Sequence, residues 1–363
     1  MHKRAAISAL RAALIKDRSE GMLISSPLNQ RYLSGLDYTD GYILILSERA
    51  YLLADFRYIE VARASVDTDV FEVVMPEGKM TSELALLCAI EGVSRLYVEE
   101  ESLTLAQKRR LADALPNLEL MSGASYEIEK LREIKADAEL SKIAAAQRIT
   151  DAAFEHILGF ITPERTEREV ALELEFFMRS HGADCAAFDT IAVSGSASSM
   201  PHGVPRDVKL ECGFLTMDFG AMLDGYCSDM TRTVVIGKAD ADMRRLYDTV
   251  LAAQSSALEF LAEGVGCIAA DKVARDIIDG AGYKGCFGHS LGHGVGMLVH
   301  EDPRLSARAE LSDKLCRGHV VTVEPGIYIA GKYGCRIEDM VCIRNDGSTY
   351  DFTHSPKELI ELF

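Results

Sequence analysis

The sequence predicts two domains: an α/β N-terminal domain over residues 1–126, and an α+β C-terminal domain over residues 127–363 whose internal repeat implies a pseudo-twofold axis. Three observations carry this prediction. The chain has 363 residues, about twice what one ordinary domain needs. Its first third alternates helical periodicity with short apolar runs. Two segments of the second half, LTMDFGAMLDGYCSDMTRTVVI from Leu215 and VTVEPGIYIAGKYGCRIEDMVCI from Val321, can be laid over each other.

In chain order, a helix is expected over Ala5 to Ile15, followed by the strands GMLIS, GYILILS, AYLLAD, FEVVM and RLYVEE. Helical spacing returns from Thr81 to Ala89, with Thr81 or Ser82 as the cap, and from Leu105 to Leu115. None of these segments holds a glycine-rich phosphate loop or a cluster of metal-ligand residue types, so the chemistry is expected in the second domain. From Glu127 to Ile157 the pattern reads as one charge-laced helical run. Beyond it come a helix around Glu167 to Ser180, a Gly- and Ser-rich segment at Val193 to Ser199, and helices at Ala241 to Ala262 and Ala269 to Ala281 between strands.

Hydrophobic residues are 48% of the chain and charged residues 26%, a balance that excludes a disordered chain. Asp plus Glu number 56 against 39 Lys plus Arg, for a net charge of −17. That sign is wrong for gripping a phosphate backbone, so no nucleic-acid partner is expected. The opening stretch MHKRAAISALRAALIKDRSEG is broken by charges, and no signal h-region or membrane span is read anywhere; the expected location is cytoplasmic. Nine cysteines without a CxxC pair read as reduced thiols filling core positions.

In the repeat, Asp218 falls on Glu324, Gly220 on Gly326, Gly225 on Gly331, and Asp229 on Glu338 after a short insertion. Each copy is a carboxylate, a turn and a second carboxylate. Asp224-Gly225 is a strong hairpin dipeptide. If it forms the loop, Asp218 pairs with Thr231 and Gly220 with Asp229, which makes the two acids diagonal neighbours on one face. Unpaired, they would repel and raise one pKa; a cation between them removes the conflict. Two copies bring four carboxylates, whose formal charge of −4 two divalent ions would neutralise. Carboxylates can bridge ions about 3.5–4 Å apart, the spacing at which a shared water becomes nucleophilic near neutral pH.

Imidazoles complete the set. His289, His293 and His300 stand close together in a glycine-rich stretch, GHSLGHGVGMLVHEDP, and His202 stands in SSMPHGVP. Four acids and one imidazole form an oxygen-rich donor set that suits manganese, cobalt or iron better than a thiolate-rich zinc site does, with zinc still open.

Taken in order, DFGA, SDMTRT, GHSLGHGVGMLVHE, EPGIY and RIED resemble the pita-bread fold metallopeptidases of the creatinase, prolidase and aminopeptidase P group. The resemblance is nearest to bacterial Xaa-Pro aminopeptidases and dipeptidases. It covers the whole chain, because YLSGLDYTDGYILIL and LLADFRYIEVA resemble the group's non-catalytic N-terminal domain. The resemblance implies two divalent metal ions per chain, Mn2+ first and Co2+, Fe2+ or Zn2+ as substitutes. Their ligands would be Asp218, Asp229, His293, Glu324 and Glu338, with Asp229 and Glu338 bridging. It further implies that His202 and His300 contact the substrate, that Glu324 assists proton transfer, that His289 and Arg336 line the substrate pocket, and that the protein is a homodimer. Cys335, where the group often has an aliphatic residue, is expected to make the site sensitive to oxidation.

The implied activity is hydrolysis of the bond between an N-terminal residue and a following proline by an Xaa-Pro aminopeptidase. An Xaa-Pro dipeptidase is the runner-up. The well-formed first domain counts against a methionine aminopeptidase, and the intact ligand set counts against a creatinase-like amidinohydrolase or a peptide-binding pseudoenzyme. The reading fails if these side chains lie far apart or are already neutralised by lysine or arginine.

Overall fold

The structure is a computed structural model that describes residues 2–363. It forms two compact units, Met1–Leu131 and Arg132–Phe363. The first is built on a six-stranded sheet of β1 (Glu20–Ile24), β2 (Gly41–Leu46), β3 (Ala50–Ala54), β4 (Glu72–Val74), β5 (Arg95–Val98) and β6 (Glu119–Met121). Their spatial order is β4-β3-β2-β1-β5-β6. The neighbours β1–β2 and β2–β3 run antiparallel and the others parallel. The central strands are mostly apolar because both faces are covered, with Glu20 at the start of β1 the charged exception; every residue of β1 and β3 is buried.

Helix Leu105–Ala114 begins with a reciprocal cap: Gln107 N–H donates to Thr104 Oγ1 at 3.2 Å, and Thr104 N–H to Gln107 Oε1 at 2.8 Å. Helix Met80–Glu91 instead starts after Lys79 without a side-chain cap, so the expected caps Thr81 and Ser82 lie inside its first turn.

The run expected as one helix from Glu127 to Ile157 is two, Ala124–Glu133 and Asp137–Phe160. At the break, Lys135 N–H donates to Gly318 O at 2.9 Å rather than up its own helix. The Glu139 carboxylate then caps the new helix by accepting from Ala136 N–H at 2.9 Å.

The second unit is built twice over. In the first half, helices Asp137–Phe160 and Glu167–Ser180 pack on a four-stranded sheet whose centre is the pair Gly213–Phe219 and Met230–Ile236. In the second half, helices Ala241–Phe260 and Cys267–Ile278 pack on a five-stranded sheet whose centre includes Val320–Val323 and Asp339–Ile343. Each half buries an apolar core between its helix pair and its sheet, and the second core also takes in Phe214 and Val235 of the first half. Among the described residues no helix is long and apolar enough to cross a membrane.

Candidate metal centre

The first acidic arm has the register its turn dictates. Asp224 (φ 51°) and Gly225 (φ 78°) are both left-handed, as a type I′ hairpin requires. Behind them Leu223 pairs with Tyr226, Met222 with Cys227 and Asp218 with Thr231. Gly220 admits no side chain, because a Cβ there would lie 1.9 Å from Ser228 O. The second arm pairs Gly326–Ile329 with Tyr333–Arg336. Asp229, Glu324 and Glu338 all stand in short gaps between paired segments, so their side chains are free of strict pleat alternation and can converge. The two arms meet where Glu338 N–H donates to Thr231 O at 3.1 Å.

Asp229, His293 and Glu338 each offer a donor atom, and these atoms all lie within 4.8 Å of one another, with all three residues buried. His293 Nε2 is 3.6 Å from Asp229 Oδ2 and 3.3 Å from Glu324 Oε1. Asp218 is at the same floor but differs: its Oδ2 accepts from Arg336 Nη2 at 2.5 Å, while its Oδ1 is buried without a hydrogen-bond partner. One of the four expected carboxylates is therefore already paired with an arginine, and three are not.

Electrostatics separate these acids. Burial, and then Glu338, Asp218 and Glu324, push Asp229 well above the usual carboxylate range. Burial, followed by Glu324 and Asp218, does the same to Glu338. For Asp218 burial also wins, against the pull of Arg336. Burial would raise Glu324 as well, but the adjacent His293 outweighs it and holds Glu324 at about 2. Buried carboxylates forced toward protonation, beside a buried oxygen without a partner, are a poor fit to a cation-free pocket. The donor set of carboxylates and one imidazole fits hard or borderline divalent ions.

His202, His289, His300, Arg336 and all five expected ligands line one cleft of about 450 Å3. His300 lies edge-on to His293, ring centroids 4.3 Å apart, and burial with the neighbouring His293 lowers it to about 4, so it is neutral at pH 7. His289 is bonded within the protein: its Nδ1–H donates to Ser290 O and its Nε2 meets Tyr328 Oη, both at 2.9 Å. Arg336, expected at the substrate pocket, is buried and directs its donors to Asp218, Thr231 and Tyr328. Cys335 corrects the expected oxidation sensitivity: it is fully buried, and burial pushes its thiol up to about 12, which suppresses the reactive thiolate.

Three residues of the site escape the sequence. Thr231 Oγ1 donates to Glu338 Oε2 at 2.6 Å and accepts from Arg336 Nε at 2.9 Å. Tyr328 joins His289 to Arg336; its place in EPGIY was the available signal. Arg304 lines the same cleft and makes no hydrogen bond or ion pair with any described residue. Only its position four residues after His300 hinted at it.

Comparison with known proteins agrees along the whole chain. The profile of Metallopeptidase family M24 matches residues 141–345, and that of the Creatinase/Prolidase N-terminal domain matches residues 7–134. An uncharacterized peptidase of Bacillus subtilis is 43% identical over 94% of this chain and 96% of its own. An Xaa-Pro dipeptidase of Pyrococcus horikoshii is 38% identical over 95% of each. Among solved structures, an Xaa-Pro dipeptidase from Bacillus anthracis superposes with a TM-score of 0.94 at 40% identity, covering 99% of this chain and 100% of that one. An X-Pro aminopeptidase from Thermotoga maritima gives 0.88 at 35% identity, covering 95% and 100%.

Proposed function

The chain belongs to metallopeptidase family M24, with the pita-bread fold of its structural neighbours, and from that premise we propose that it is an Xaa-Pro dipeptidase holding two divalent metal ions. The observation that carries the peptidase reading is the cluster of Asp229, His293 and Glu338 on the floor of the cleft, with two carboxylates lacking a cation. Asp218, Asp229, His293, Glu324 and Glu338 would hold the ions. When bound, such ions act as Lewis acids and make water nucleophilic at neutral pH; manganese suits the donors.

The chain's own residues account for the remaining chemistry. Neutral His300 donates a hydrogen bond to the oxygen of the scissile carbonyl as charge develops there. Glu324, ionised throughout the neutral range, accepts the proton of the attacking water. Proline nitrogen carries no hydrogen in the substrate and must be protonated as it leaves; His202, exposed at the cleft, delivers that proton. Phe188 and Ile191 offer apolar wall to the pyrrolidine ring, and the excess of acid attracts the substrate's α-ammonium.

Arg304 reverses the order of the two readings drawn from the sequence. An unpaired guanidinium in the cleft suits a substrate that ends there with a free carboxylate, the condition a dipeptide meets. Relatives named Xaa-Pro dipeptidase support it; the Thermotoga neighbour keeps the aminopeptidase reading as the alternative. The test offers Xaa-Pro dipeptides, their C-terminal amides and Xaa-Pro-Yaa tripeptides with manganese, cobalt and zinc. Cleavage confined to free dipeptides is expected, and Arg304→Ala should abolish that preference. Equal cleavage of tripeptides would establish the aminopeptidase instead, and no cleavage of any Xaa-Pro bond would refute both. A cytoplasmic homodimer remains part of the proposal, to be checked by sedimentation.

A further inference from the structure

The segment Arg132–Glu139, where the long helical run breaks, carries charges that the reaction does not use. Two of them converge on a single acid. Arg132 Nε donates to Glu301 Oε1 at 3.2 Å, and Lys135 Nζ to Glu301 Oε2 at 3.3 Å, with all three side chains less than a tenth exposed. Glu301 directly follows His300. Its Oε1 also accepts from Leu298 N–H at 3.1 Å, so the acid closes the loop that ends in His300. Gly296 packs against this group: a Cβ there would lie 2.5 Å from Glu301 Oε2 and 2.9 Å from Lys135 Cε.

The same segment also reaches the first acidic arm. Glu139 Oε1 accepts from Tyr226 Oη at 2.8 Å, three residues before Asp229. The arm and the loop touch each other as well, through Cys227 N–H donating to Gly296 O at 2.8 Å. Loop, arm and helix break form a closed circuit of buried contacts.

We propose that Arg132, Lys135 and Glu139 are positioning residues: one helix break grips the His300 loop through Glu301 and the Asp229 arm through Tyr226, and fixes their separation. This rests on the reading above, in which His300 meets the substrate. Buried ion pairs are costly to form, and this one lies where a small displacement of a reacting group lowers turnover steeply.

The test compares Lys135→Met, Glu301→Gln and the double variant in the full metal-loaded chain, reading steady-state kinetics on Xaa-Pro dipeptides, melting temperature and amide exchange at Leu298. In each single variant, exchange at Leu298 should accelerate at least about tenfold, and kcat should fall about tenfold to a hundredfold with KM held within about twofold. Across Arg132, Lys135 and Glu301 the double variant keeps the formal net charge of wild type, whereas Glu301→Gln gains one positive charge. The melting temperature of the double variant should therefore lie above that of Glu301→Gln and closer to wild type, while kcat and exchange stay impaired. Recovery of kcat together with melting temperature would reduce the network to charge balance and overturn the proposal. Unchanged kcat, or unchanged Leu298 exchange, in Lys135→Met would overturn it too. If the single variants fail to fold, the double variant against wild type decides by the same two readouts. A wild-type chain inert toward every Xaa-Pro bond would sink the proposed function instead, and Leu298 exchange alone would then judge the brace.

Discussion

Thr231→Val removes one hydroxyl from the floor of the site while nearly keeping the shape, and so deletes both the donor to Glu338 and the acceptor of Arg336 Nε. Thr231 is fully buried, and its Oγ1 supplies the 2.6 Å hydrogen bond to Glu338 Oε2. That bond opposes the upward push on Glu338 from burial and from Glu324. Without it the carboxylate holds its proton more tightly, and a metal ion must displace that proton to bind. A hydrogen bond to a charged group is worth about 1.5–3 kcal/mol, so metal affinity near pH 7 should fall about tenfold to a hundredfold. The deficit should shrink as pH rises, because the competing proton is lost anyway. Calorimetric titration with Mn2+ at several pH values measures both effects, and Thr231→Ser, which keeps the hydroxyl, should bind as wild type does. Equal affinity of Thr231→Val and wild type across the pH range would refute this account.

Asp229→Asn should lose at least one ion and nearly all hydrolysis yet keep its fold, and its metal-free form should melt above metal-free wild type near neutral pH because the amide is neutral without the cost of protonating a buried carboxylate; wild-type turnover would exclude a ligand role. Chelation should lower the melting temperature of the wild-type chain, which calorimetry before and after metal removal checks. The metal-free chain should also lose stability as pH rises. Asp229 and Glu338 are raised in the folded state, as is Asp351, to about 7, by burial and then by Asp339. The folded state therefore holds protons that the unfolded chain releases near pH 4, and the stability they confer is lost as pH climbs from about 4 through the raised values. A melting temperature that rises between pH 5.5 and 8 after chelation would contradict this. Asp351→Asn should flatten the part of that slope below about pH 7.

What the sequence reveals follows from the range of the forces involved. The first arm is legible because a two-residue turn sets its register locally: Asp224-Gly225 places Asp218 opposite Thr231. The helix break at residues 134–136 is not, because its cause is the carbonyl of Gly318, remote in sequence. The caps at Thr81 and Ser82 fail for a milder reason, since a capping residue type is read without the backbone angle that makes it a cap. The candidate ligands are legible as residue types at repeat positions, whereas the hydroxyl of Thr231 and the unpaired cation of Arg304 gain meaning only from what stands beside them. The Arg336 pairing with Asp218 spans 118 residues, and no local pattern signals it.

That pairing breaks the symmetry of the repeat and makes the two expected ions unequal. Two residues before Glu338 stands Arg336; at the same offset before Asp229 stands Cys227. The charge at the floor is thus four carboxylates less one guanidinium, concentrated on the side of Asp229 and Glu338. A first ion placed among Asp229, His293 and Glu338 meets no competing cation. A second, needing Asp218, must displace a 2.5 Å contact with Arg336, whose remaining bonds to Thr231 and Tyr328 hold it in place. Calorimetry should therefore resolve two binding steps, the second weaker. Arg336→Met should narrow the gap by freeing Asp218 and removing a repelling charge. A single step with two equal sites in the wild-type chain, or an unaltered gap in Arg336→Met, would mean that the guanidinium does not set the order of filling.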